Sequence, residues 1–492
     1  MHRFRQAVSN VMANVATIQH TGRLHNEKSP EDDPEKEEKY EYSRAEFLQL
    51  SSEEVTIATD IVIRPIMVPR DLSKLPWYCG YAEVVNAGKS KRNEDQAAAR
   101  HMVISHKDRE KTLDTSPGNG IQKKELDQIP FTYFGIFDGH AGCGVSVMAS
   151  RVLHDKILSK LESVYDLLAS SSVEQRQFTR SGDQRPNKWP FSEKEVSVES
   201  LIVGAFESAF VEMDEQVRKE KLEYHIPGGC TVLVAVFILG KLYVANAGDS
   251  RAIICRGYDI IPMSTDFTPT TERQRLQQVA SCNPHFLGNE FSHLEFQKRV
   301  QRKDLGKKLM YRDQNMTGWA YKEVTEADLK FPLIYGEGKK ARVLATIGVT
   351  RGFGDHELKV HSTDIYIKPF LTPVPEVKVF NLFDKELTES DVLIMASDGL
   401  WDVLSNERVA EVVNEVLDSF PPDDYKKYAS AAQELVMAAR GVLRINGWRT
   451  LKENKQGSGD DITVFVIPLN KHYGLDRQSS LTESNDASPM SS

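Results

Sequence analysis

The chain shows two kinds of hydrophobic spacing. Short apolar runs bounded by polar residues predict strands, and apolar residues that recur every three or four positions predict helices. The predicted strands span residues 132–137, 231–239, 241–246, 252–255, 343–347, 392–396 and 462–467. The predicted helices span residues 150–168, 198–220, 406–417 and 428–443. Because strands and helices cluster without strict alternation, the pattern predicts an α+β fold, with an antiparallel meander around Gly240.

The first 26 residues follow a separate pattern. No acidic residue precedes Glu27. Apolar residues recur at heptad-like spacing at Phe4, Val8, Val11, Val15 and Ile18. The spacing predicts a weakly cationic amphipathic helix, which alone would bind a membrane surface only marginally. A mitochondrial presequence has the same pattern of cationic and apolar residues. The alternative is a helix packed on the domain or a frayed tail.

Composition divides the rest of the chain into a linker, one large domain and a tail. Residues 27–75 begin with a nearly continuous charged run and are interpreted as a charged linker and lead-in. We expect residues 76–470 to form the main domain, with the aromatic and charged residues 274–342 as an inserted subdomain. Residues 471–492 are Ser-rich without apolar periodicity, which predicts a disordered tail.

Charge and cysteine usage narrow the classes of function. The 492 residues carry a net charge of −9, which argues against a general affinity for nucleic acid. Five scattered cysteines without a CxxC pair are typical of a reducing compartment, so a cytoplasmic location is predicted. The longest apolar run, residues 232–239, is too short to span a bilayer.

Carboxylates stand next to apolar strands at four distant positions. Asp138, Asp249 and Asp398 follow predicted strands, and Asp460 precedes one. Strands disfavour Asp, and an unpaired carboxylate is costly to bury. A turn or a cap explains each acid taken alone. Taken together with the acidic pair in residues 93–95, they predict oxygen ligands that converge on Mg²⁺ or Mn²⁺.

Seven motifs occur in the order found in one enzyme family. They are NED at 93–95, FDGH at 137–140, GCT at 229–231, AGDSR at 247–251, TRGFGD at 350–355, SDGLWD at 397–402 and GDD at 459–461. Over residues 80–469 the chain resembles the metal-dependent type 2C serine/threonine protein phosphatases, and it looks like their H/J/M branch. The resemblance implies a four-layer α-β-β-α sandwich of two antiparallel sheets flanked by helices, in which residues 274–342 form a flap beside the active site.

The resemblance also implies an activity and a set of metal ligands. The activity is hydrolysis of phosphoserine and phosphothreonine on proteins by a water that two cations activate, without a covalent enzyme intermediate. Asp138 would bridge the two Mg²⁺ or Mn²⁺ ions, and the Gly139 carbonyl would be a further ligand to one of them. By resemblance, Asp398 and Asp460 bind the other ion. Asp249 resembles the ligand of a weaker third ion, shared with Asp398.

Other residues of the motifs take supporting roles by resemblance. Glu94 and Asp95 would hold water molecules of the ions. His140 resembles the family's proposed general acid for the leaving oxygen, and orienting a bound water is its alternative role. Asp355 is interpreted as a structural turn or ion-pair residue, with Arg351 as its partner.

Two positions depart from the family pattern. Many members carry, at the position of Ser90, an arginine that grips the substrate phosphate, and serine cannot supply a bidentate cation. Lys89, Lys91 and Arg92 are the nearest replacements, and Lys89 is preferred, although only a bulge or twist would aim it at the phosphate. Asp461 stands where the family commonly has asparagine, and it either strengthens cation binding or faces a turn.

The expected partner is a phosphoprotein. Arg299, Arg302 and Trp319 of the flap are predicted to dock its surface, and a subdomain that only covers the core is the alternative. The branch resemblance points to phosphorylated small GTPases of the Rab group, on endomembranes such as the Golgi. No cysteine has an arginine six positions later, so the sequence does not support a cysteine-based phosphatase. A catalytically weak phosphoprotein-binding scaffold at membranes, motivated by Ser90, is the competing hypothesis.

Overall fold

The computed structural model describes residues 37–60, 63–105, 128–169, 196–383 and 386–472. The predicted amphipathic segment 1–26 and residues 473–492 of the predicted tail lie outside these ranges, so both expectations stay predictions. Among the described residues, no helix has both the length and the apolar character that a bilayer crossing requires.

The secondary structure consists of short strands and medium-length helices. The α-helices of the described residues are α1 Ser52–Ala58, α2 Gly144–Glu162, α3 Val198–Glu220, α4 Arg273–Cys282, α5 Asp398–Trp401, α6 Asn406–Asp418 and α7 Lys426–Arg440. The strands are β1 Gly80–Val84, β2 Gln96–Ile104, β3 Ile129–Phe137, β4 Gly139–His140, β5 Gly229–Cys230, β6 Val232–Ile238, β7 Lys241–Ala247, β8 Arg251–Arg256, β9 Asp259–Pro262, β10 Phe291–Ser292, β11 Glu295–Phe296, β12 Lys308–Arg312, β13 Ala320–Glu323, β14 Phe331–Pro332, β15 Ile334–Tyr335, β16 Arg342–Val343, β17 Phe353–Gly354, β18 Glu376–Asn381, β19 Val392–Ala396, β20 Val442–Arg444, β21 Gly447–Arg449 and β22 Ile462–Pro468.

Two five-stranded sheets form the centre of the fold. Sheet 1 has the strand order β1–β22–β19–β8–β9, and sheet 2 has the order β18–β7–β6–β3–β2. Every neighbouring pair in both sheets is antiparallel. The predicted hairpin around Gly240 is present, since β6 pairs with β7. The predicted meander is wrong beyond it, because β8 pairs with β19 in sheet 1 and the chain therefore crosses from one sheet to the other.

Alternate side chains of a central strand face opposite layers. On β3, Phe134 and Ile136 belong to a buried cluster that also contains Phe465 of sheet 1. Tyr133 and Phe137 of the same strand belong to a different buried cluster. The first cluster therefore lies between the sheets, and the second lies on the outer face of sheet 2.

Helices cover the outer face of each sheet. The outer cluster of sheet 2 includes Leu153 of α2 and Phe210 of α3. The outer cluster of sheet 1 includes Val413 of α6 and Leu435 of α7. The prediction of an α+β fold with antiparallel sheets is confirmed.

Three predicted boundaries differ from the structure. The helix predicted at 428–443 ends at Arg440, because Gly441 turns the backbone at φ 71° and β20 and β21 follow as a hairpin. The strand predicted at 343–347 is wrong beyond Val343, because Leu344 and Ala345 adopt positive φ values of 48° and 56°. The helix predicted at 150–168 begins earlier, at Gly144.

Part of the predicted lead-in packs into the core. Phe47 and Leu48 join the cluster between the sheets. Arg44 forms a bidentate ion pair with Glu83 of β1 at 2.7 Å for both contacts, and each side chain is 1% exposed. Tyr81 donates a hydrogen bond to the same carboxylate. The buried ion pair therefore ties this segment to sheet 1.

The predicted flap shares its hydrophobic core with residues that follow it. Leu276, Phe291 and Leu333 pack in one cluster with Ile367 and Phe370. The cluster thus continues past residue 342, where the sequence places the end of the flap.

Replacing Arg44 with methionine should destabilise the fold strongly. The substitution leaves the Glu83 carboxylate buried without its cation, which costs about 3–5 kcal/mol. Urea unfolding followed by circular dichroism measures the loss. Arg70→Met removes a more exposed ion pair, with Glu54, and serves as the matched control that should change stability little. Equal stability of the two variants would contradict the role given to the buried pair.

Candidate active site

Three predicted metal ligands meet where strands of the two sheets end. Asp138 follows β3, Asp249 lies in the turn between β7 and β8, and Asp398 begins α5 after β19. One carboxylate oxygen of each acid lies within 4.8 Å of the other two. This triad, Asp138, Asp249 and Asp398, is compact enough for small divalent cations to bridge its oxygens.

Burial and repulsion from neighbouring carboxylates raise the pKa values of the triad. Burial is the largest cause for Asp138, and Asp398 adds the next, so the pKa of Asp138 lies well above its usual range. Burial and then Asp249 raise the pKa of Asp398 in the same way. Burial and then Asp266 raise the pKa of Asp249 to about 7. A bound divalent cation offsets both effects, so the chemistry of these oxygens fits a metal site.

Asp460 lies beside the triad and contacts a cation of the chain itself. Lys89 Nζ donates a hydrogen bond to Asp460 Oδ2 at 2.6 Å. Burial lowers the pKa of Lys89, but Asp460, Asp398 and Asp138 raise it by more, so its pKa lies above the usual value. Lys89 therefore remains charged at the edge of the acidic cluster.

Glu94 and Asp95 lie on the loop between β1 and β2. Glu94 Oε1 accepts a hydrogen bond from Gly142 N at 3.0 Å, and burial followed by repulsion from Asp461 raises the pKa of Glu94. Asp95 is 1% exposed, and its Oδ2 accepts from Ser397 Oγ at 2.7 Å. Burial and then Asp461 raise the pKa of Asp95 to about 8. Asp95 thus connects this loop to the end of β19.

Close backbone approaches explain two glycines of the motifs. A Cβ atom at Gly139 would overlap the Glu94 carbonyl, and one at Gly399 would overlap the Asp461 carbonyl. Larger residues would push apart the loops that carry the acids.

Asp461 is a structural residue that joins two loops. Its Oδ1 accepts from the backbone and side-chain nitrogens of Asn86 at 2.7 and 3.1 Å, and its Oδ2 accepts from Glu94 N at 3.0 Å. It is 5% exposed, and burial raises its pKa to about 6. An asparagine has one acceptor oxygen, so it could not accept on both sides. Of the two interpretations of this departure, the structure therefore favours the structural one.

His140 faces Asp355. Its Nε2 lies 2.9 Å from Asp355 Oδ2, and a Cβ at Gly229 would fill the space beside this contact. Burial lowers the pKa of His140, but Asp355 together with Glu94 and Asp249 raises it by more, so the net shift is upward. Arg351, the predicted partner of Asp355, instead forms a bidentate ion pair with Glu272 at 2.8 and 3.0 Å, so that pairing was wrong.

A buried carboxylate on α3 supports the segment that carries Asp355. Asp214 is 6% exposed, and its Oδ1 accepts from Gly354 N at 2.9 Å, His356 Nε2 at 3.1 Å and Lys368 Nζ at 2.9 Å. Sequence reasoning missed Asp214. The available signal was an acidic residue on the apolar face of a strongly periodic helix.

Arg44 positions the loop of Glu94 and Asp95 from the other side. Its Nη1 donates to the carbonyl oxygens of Asn93 at 3.3 Å and Asp95 at 2.7 Å. Tyr42 also donates to the Asn93 carbonyl, at 3.1 Å. Sequence reasoning missed both side chains, since they lie in the charged lead-in and outside every motif.

Ser90 and Arg92 form part of the loop wall. Ser90 Oγ donates to the Arg92 carbonyl at 2.5 Å. The Arg92 guanidinium lies 4.8 Å from the centre of the Tyr42 ring. Arg92 and Glu94 line one cavity of about 450 Å³, so Arg92 borders the site from the side of the lead-in.

The predicted docking residues lie on the flap. Arg299 lies 4.2 Å from the centre of the Phe331 ring. Trp319 is 42% exposed, with the Arg312 guanidinium 4.5 Å from its ring. Arg302 begins a 3-10 turn, Arg302–Asp304.

Comparison with known proteins agrees with this geometry. The family model described as Protein phosphatase 2C matches residues 100–282 and 332–443. Protein phosphatase 1H of Homo sapiens is 51% identical over 471 residues, which cover 88% of this chain and 91% of the relative. Protein phosphatase 1J of Homo sapiens is 49% identical over 439 residues, which cover 87% and 86%. The chain belongs to the protein phosphatase 2C family.

Membership defines the class of enzyme. The protein is a protein serine/threonine phosphatase, and the general activity of its family is metal-dependent dephosphorylation. The carboxylate triad agrees with that metal dependence. Residues 283–331 of the flap fall between the two matched ranges.

Asp138→Asn tests the metal site without relying on catalysis. Removing one of three repelling carboxylates should raise the melting temperature of the metal-free protein by about 2–4 °C. The same change should remove most of the stabilisation that Mn²⁺ gives the wild type. Differential scanning calorimetry with and without Mn²⁺ measures both effects. Asp364→Asn, at a side chain that is 99% exposed, is the control. An unchanged Mn²⁺ effect in Asp138→Asn would contradict the assignment.

Proposed function

We propose that the protein hydrolyses phosphoserine and phosphothreonine on proteins with an activated water and without a covalent enzyme intermediate. The observation that carries this proposal is the half-buried triad of Asp138, Asp249 and Asp398, whose carboxylate oxygens lie within 4.8 Å of one another. When bound there, two Mg²⁺ or Mn²⁺ ions neutralise phosphate charge and lower the pKa of a water between them. The remaining work of positioning and proton transfer falls to the side chains of the chain.

The acids divide the metal ligation among them. Asp138 would contribute to both ions and the Gly139 carbonyl to one of them, and Asp398 with Asp460 would hold the other ion. Asp249, with Asp398, would hold a weaker third ion. The repulsion that Asp460 exerts on both Asp138 and Asp398 supports this grouping.

Glu94 and Asp95 would hold water rather than metal. One oxygen of each already accepts a hydrogen bond, from Gly142 N and from Ser397 Oγ. The remaining acceptor capacity of the two carboxylates would orient water in the ligand shell.

His140 would protonate the leaving oxygen of the serine or threonine. Because Nε2 faces Asp355, we assign the transferable proton to Nδ1. The Asp355 carboxylate fixes the orientation of the ring and stabilises its protonated form. Asp214 supports this contact through Gly354 N and is a positioning residue.

Lys89 would grip the substrate phosphate in place of the absent arginine at Ser90. Its ammonium lies 2.6 Å from Asp460 and points into the acidic cluster, where a phosphate dianion would bind. Arg92 is a second candidate, further out on the cavity that it shares with Glu94.

The flap would supply the docking surface for the phosphoprotein. Arg299, Arg302 and Trp319 are the proposed contacts, and the exposure of Trp319 supports this role. The branch resemblance supports small GTPases of the Rab group as the substrate class. A cytoplasmic enzyme held peripherally on endomembranes such as the Golgi would meet such substrates.

One observation favours the scaffold hypothesis. Ser90 Oγ is engaged with the Arg92 carbonyl, so it offers no grip on a phosphate. Weak catalysis would follow if Lys89 stayed bound to Asp460.

Turnover separates these hypotheses. With Mn²⁺, the wild type should hydrolyse a phosphothreonine peptide, EDTA should stop the reaction, and Asp398→Ala should reduce kcat/KM by at least about 100-fold. Release of inorganic phosphate measures each rate. A wild type inactive with both Mn²⁺ and Mg²⁺ would favour the scaffold.

Asp355→Asn tests the role of His140 as proton donor by comparing two substrates whose leaving groups differ in their need for a proton. A peptide serine or threonine needs a proton to leave, whereas the nitrophenolate of para-nitrophenyl phosphate does not. The variant should therefore lose about 10- to 100-fold in kcat on a phosphopeptide and change little on para-nitrophenyl phosphate. Equal losses on both substrates would indicate a purely structural role.

A further inference from the structure

The hairpin of β20 and β21 carries an apolar tip that the catalytic site does not use. Ile445 at the tip is 104% exposed, and Leu443 and Leu451 are 63% and 62% exposed. Isolated exposed aliphatic residues are common. Three within nine residues, however, form an exposed apolar patch, and such a patch is unfavourable in water unless a partner covers it. We call residues 442–455 the basic hairpin segment.

Positive charge surrounds this apolar tip. Residues 442–455 contain four arginines and lysines and one glutamate, whereas the whole chain has a net charge of −9. Lys452 pairs with Glu415 at 3.3 Å and Lys455 with Glu453 at 2.7 Å. A local cationic surface on an acidic protein indicates an anionic partner.

A polar cavity lies at the side of the tip. Its volume is about 650 Å³, and its wall includes Arg444, Arg449, Asn446 and Asn454. Leu451 completes the wall, so one side of the cavity is apolar. Two guanidinium groups and two amides can bind the oxygens of a phosphate group.

The base of the segment is held firmly. Two arginines contact the Trp448 ring, with the Arg64 guanidinium 5.6 Å and the Arg440 guanidinium 5.8 Å from its centre. Gly457 N donates to the Trp448 carbonyl at 2.9 Å. The tip therefore projects from a fixed base.

The same base adjoins the catalytic centre. Arg440 Nη2 donates to the carbonyl of Asp460 at 2.7 Å. Arg64 Nε donates to the Asn86 carbonyl at 3.2 Å, in the loop that carries Lys89. A partner bound at the tip would therefore lie near the entrance for a substrate.

We propose that the basic hairpin segment binds an anionic membrane surface. Ile445 and Leu443 would enter the boundary between headgroups and acyl chains, and Arg444 and Arg449 would bind lipid phosphates. The narrow, protruding tip suits a deformable lipid surface better than the concave pocket that a protein would have to provide. Membrane contact here would turn the neighbouring active site towards substrates anchored in the same bilayer.

This contact would act together with the predicted helix of residues 1–26. One weak membrane element gives marginal binding, whereas two linked elements bind much more tightly. The proposal does not depend on the catalytic assignment, because neither tip residue contacts the carboxylate triad.

Vesicle co-sedimentation of the full chain tests the proposal. Vesicles of phosphatidylcholine with 30% phosphatidylserine should sediment the wild type, and pure phosphatidylcholine should sediment much less. The double variant Leu443→Ser and Ile445→Ser should bind the anionic vesicles at least about tenfold more weakly. Leu222→Ser, at a leucine that is 67% exposed on another surface, is the matched control and should bind as wild type.

Further arms separate the sources of binding. Arg444→Gln should weaken binding to anionic vesicles only. The double variant Val8→Glu and Val11→Glu measures how much the N-terminal segment contributes to vesicle binding. Hydrolysis of para-nitrophenyl phosphate without vesicles should stay normal in the hairpin variants and shows that they are folded. Wild-type binding by the double variant would overturn the proposal. So would normal vesicle binding with a raised KM for a phosphoprotein, because that result assigns the hairpin to a protein partner.

Discussion

Repulsion between the half-buried carboxylates of the active site is the constraint on which the rest of this structure depends. Asp138, Asp249 and Asp398 bring oxygens within 4.8 Å of one another, and burial together with the like charges of neighbouring carboxylates raises all three pKa values. Such a group is unfavourable in an apolar interior unless protons or cations neutralise it. The antiparallel sheets make the arrangement possible, because neighbouring strand ends hold the acids on a rigid frame.

A surrounding set of hydrogen bonds holds the loops that complete the centre. Asp461 accepts hydrogen bonds from two backbone nitrogens of the loop between β1 and β2, Arg44 binds the same loop at Asp95, and Asp214 supports the segment of Asp355. Each of these groups is buried and charged, so each is costly unless its partners are present. The site is therefore assembled by residues that never touch the substrate.

The acids of the centre were predictable because their signal is local. An aspartate next to an apolar strand is visible in a short window of sequence, and family order identifies the set. The partner of Asp355 was not predictable, because its contact with His140 joins residues 215 positions apart and depends on the space left by Gly229. Arg44 and Asp214 were not predicted for the same reason, because their contacts also join residues that are far apart in the sequence. The hairpin after Gly441 was mistaken for helix, since Leu443 continues the apolar spacing although its side chain faces solvent.

Anomalous diffraction at the manganese absorption edge tests the central claim most directly. Crystals of the wild type grown with Mn²⁺ should show two strong anomalous peaks. Both should lie next to Asp138, and one of them should also lie next to Asp398 and Asp460. Crystals of Asp138→Asn should lose at least one of them. Peaks elsewhere, or an unchanged pair in the variant, would contradict the account of these carboxylates as the metal centre.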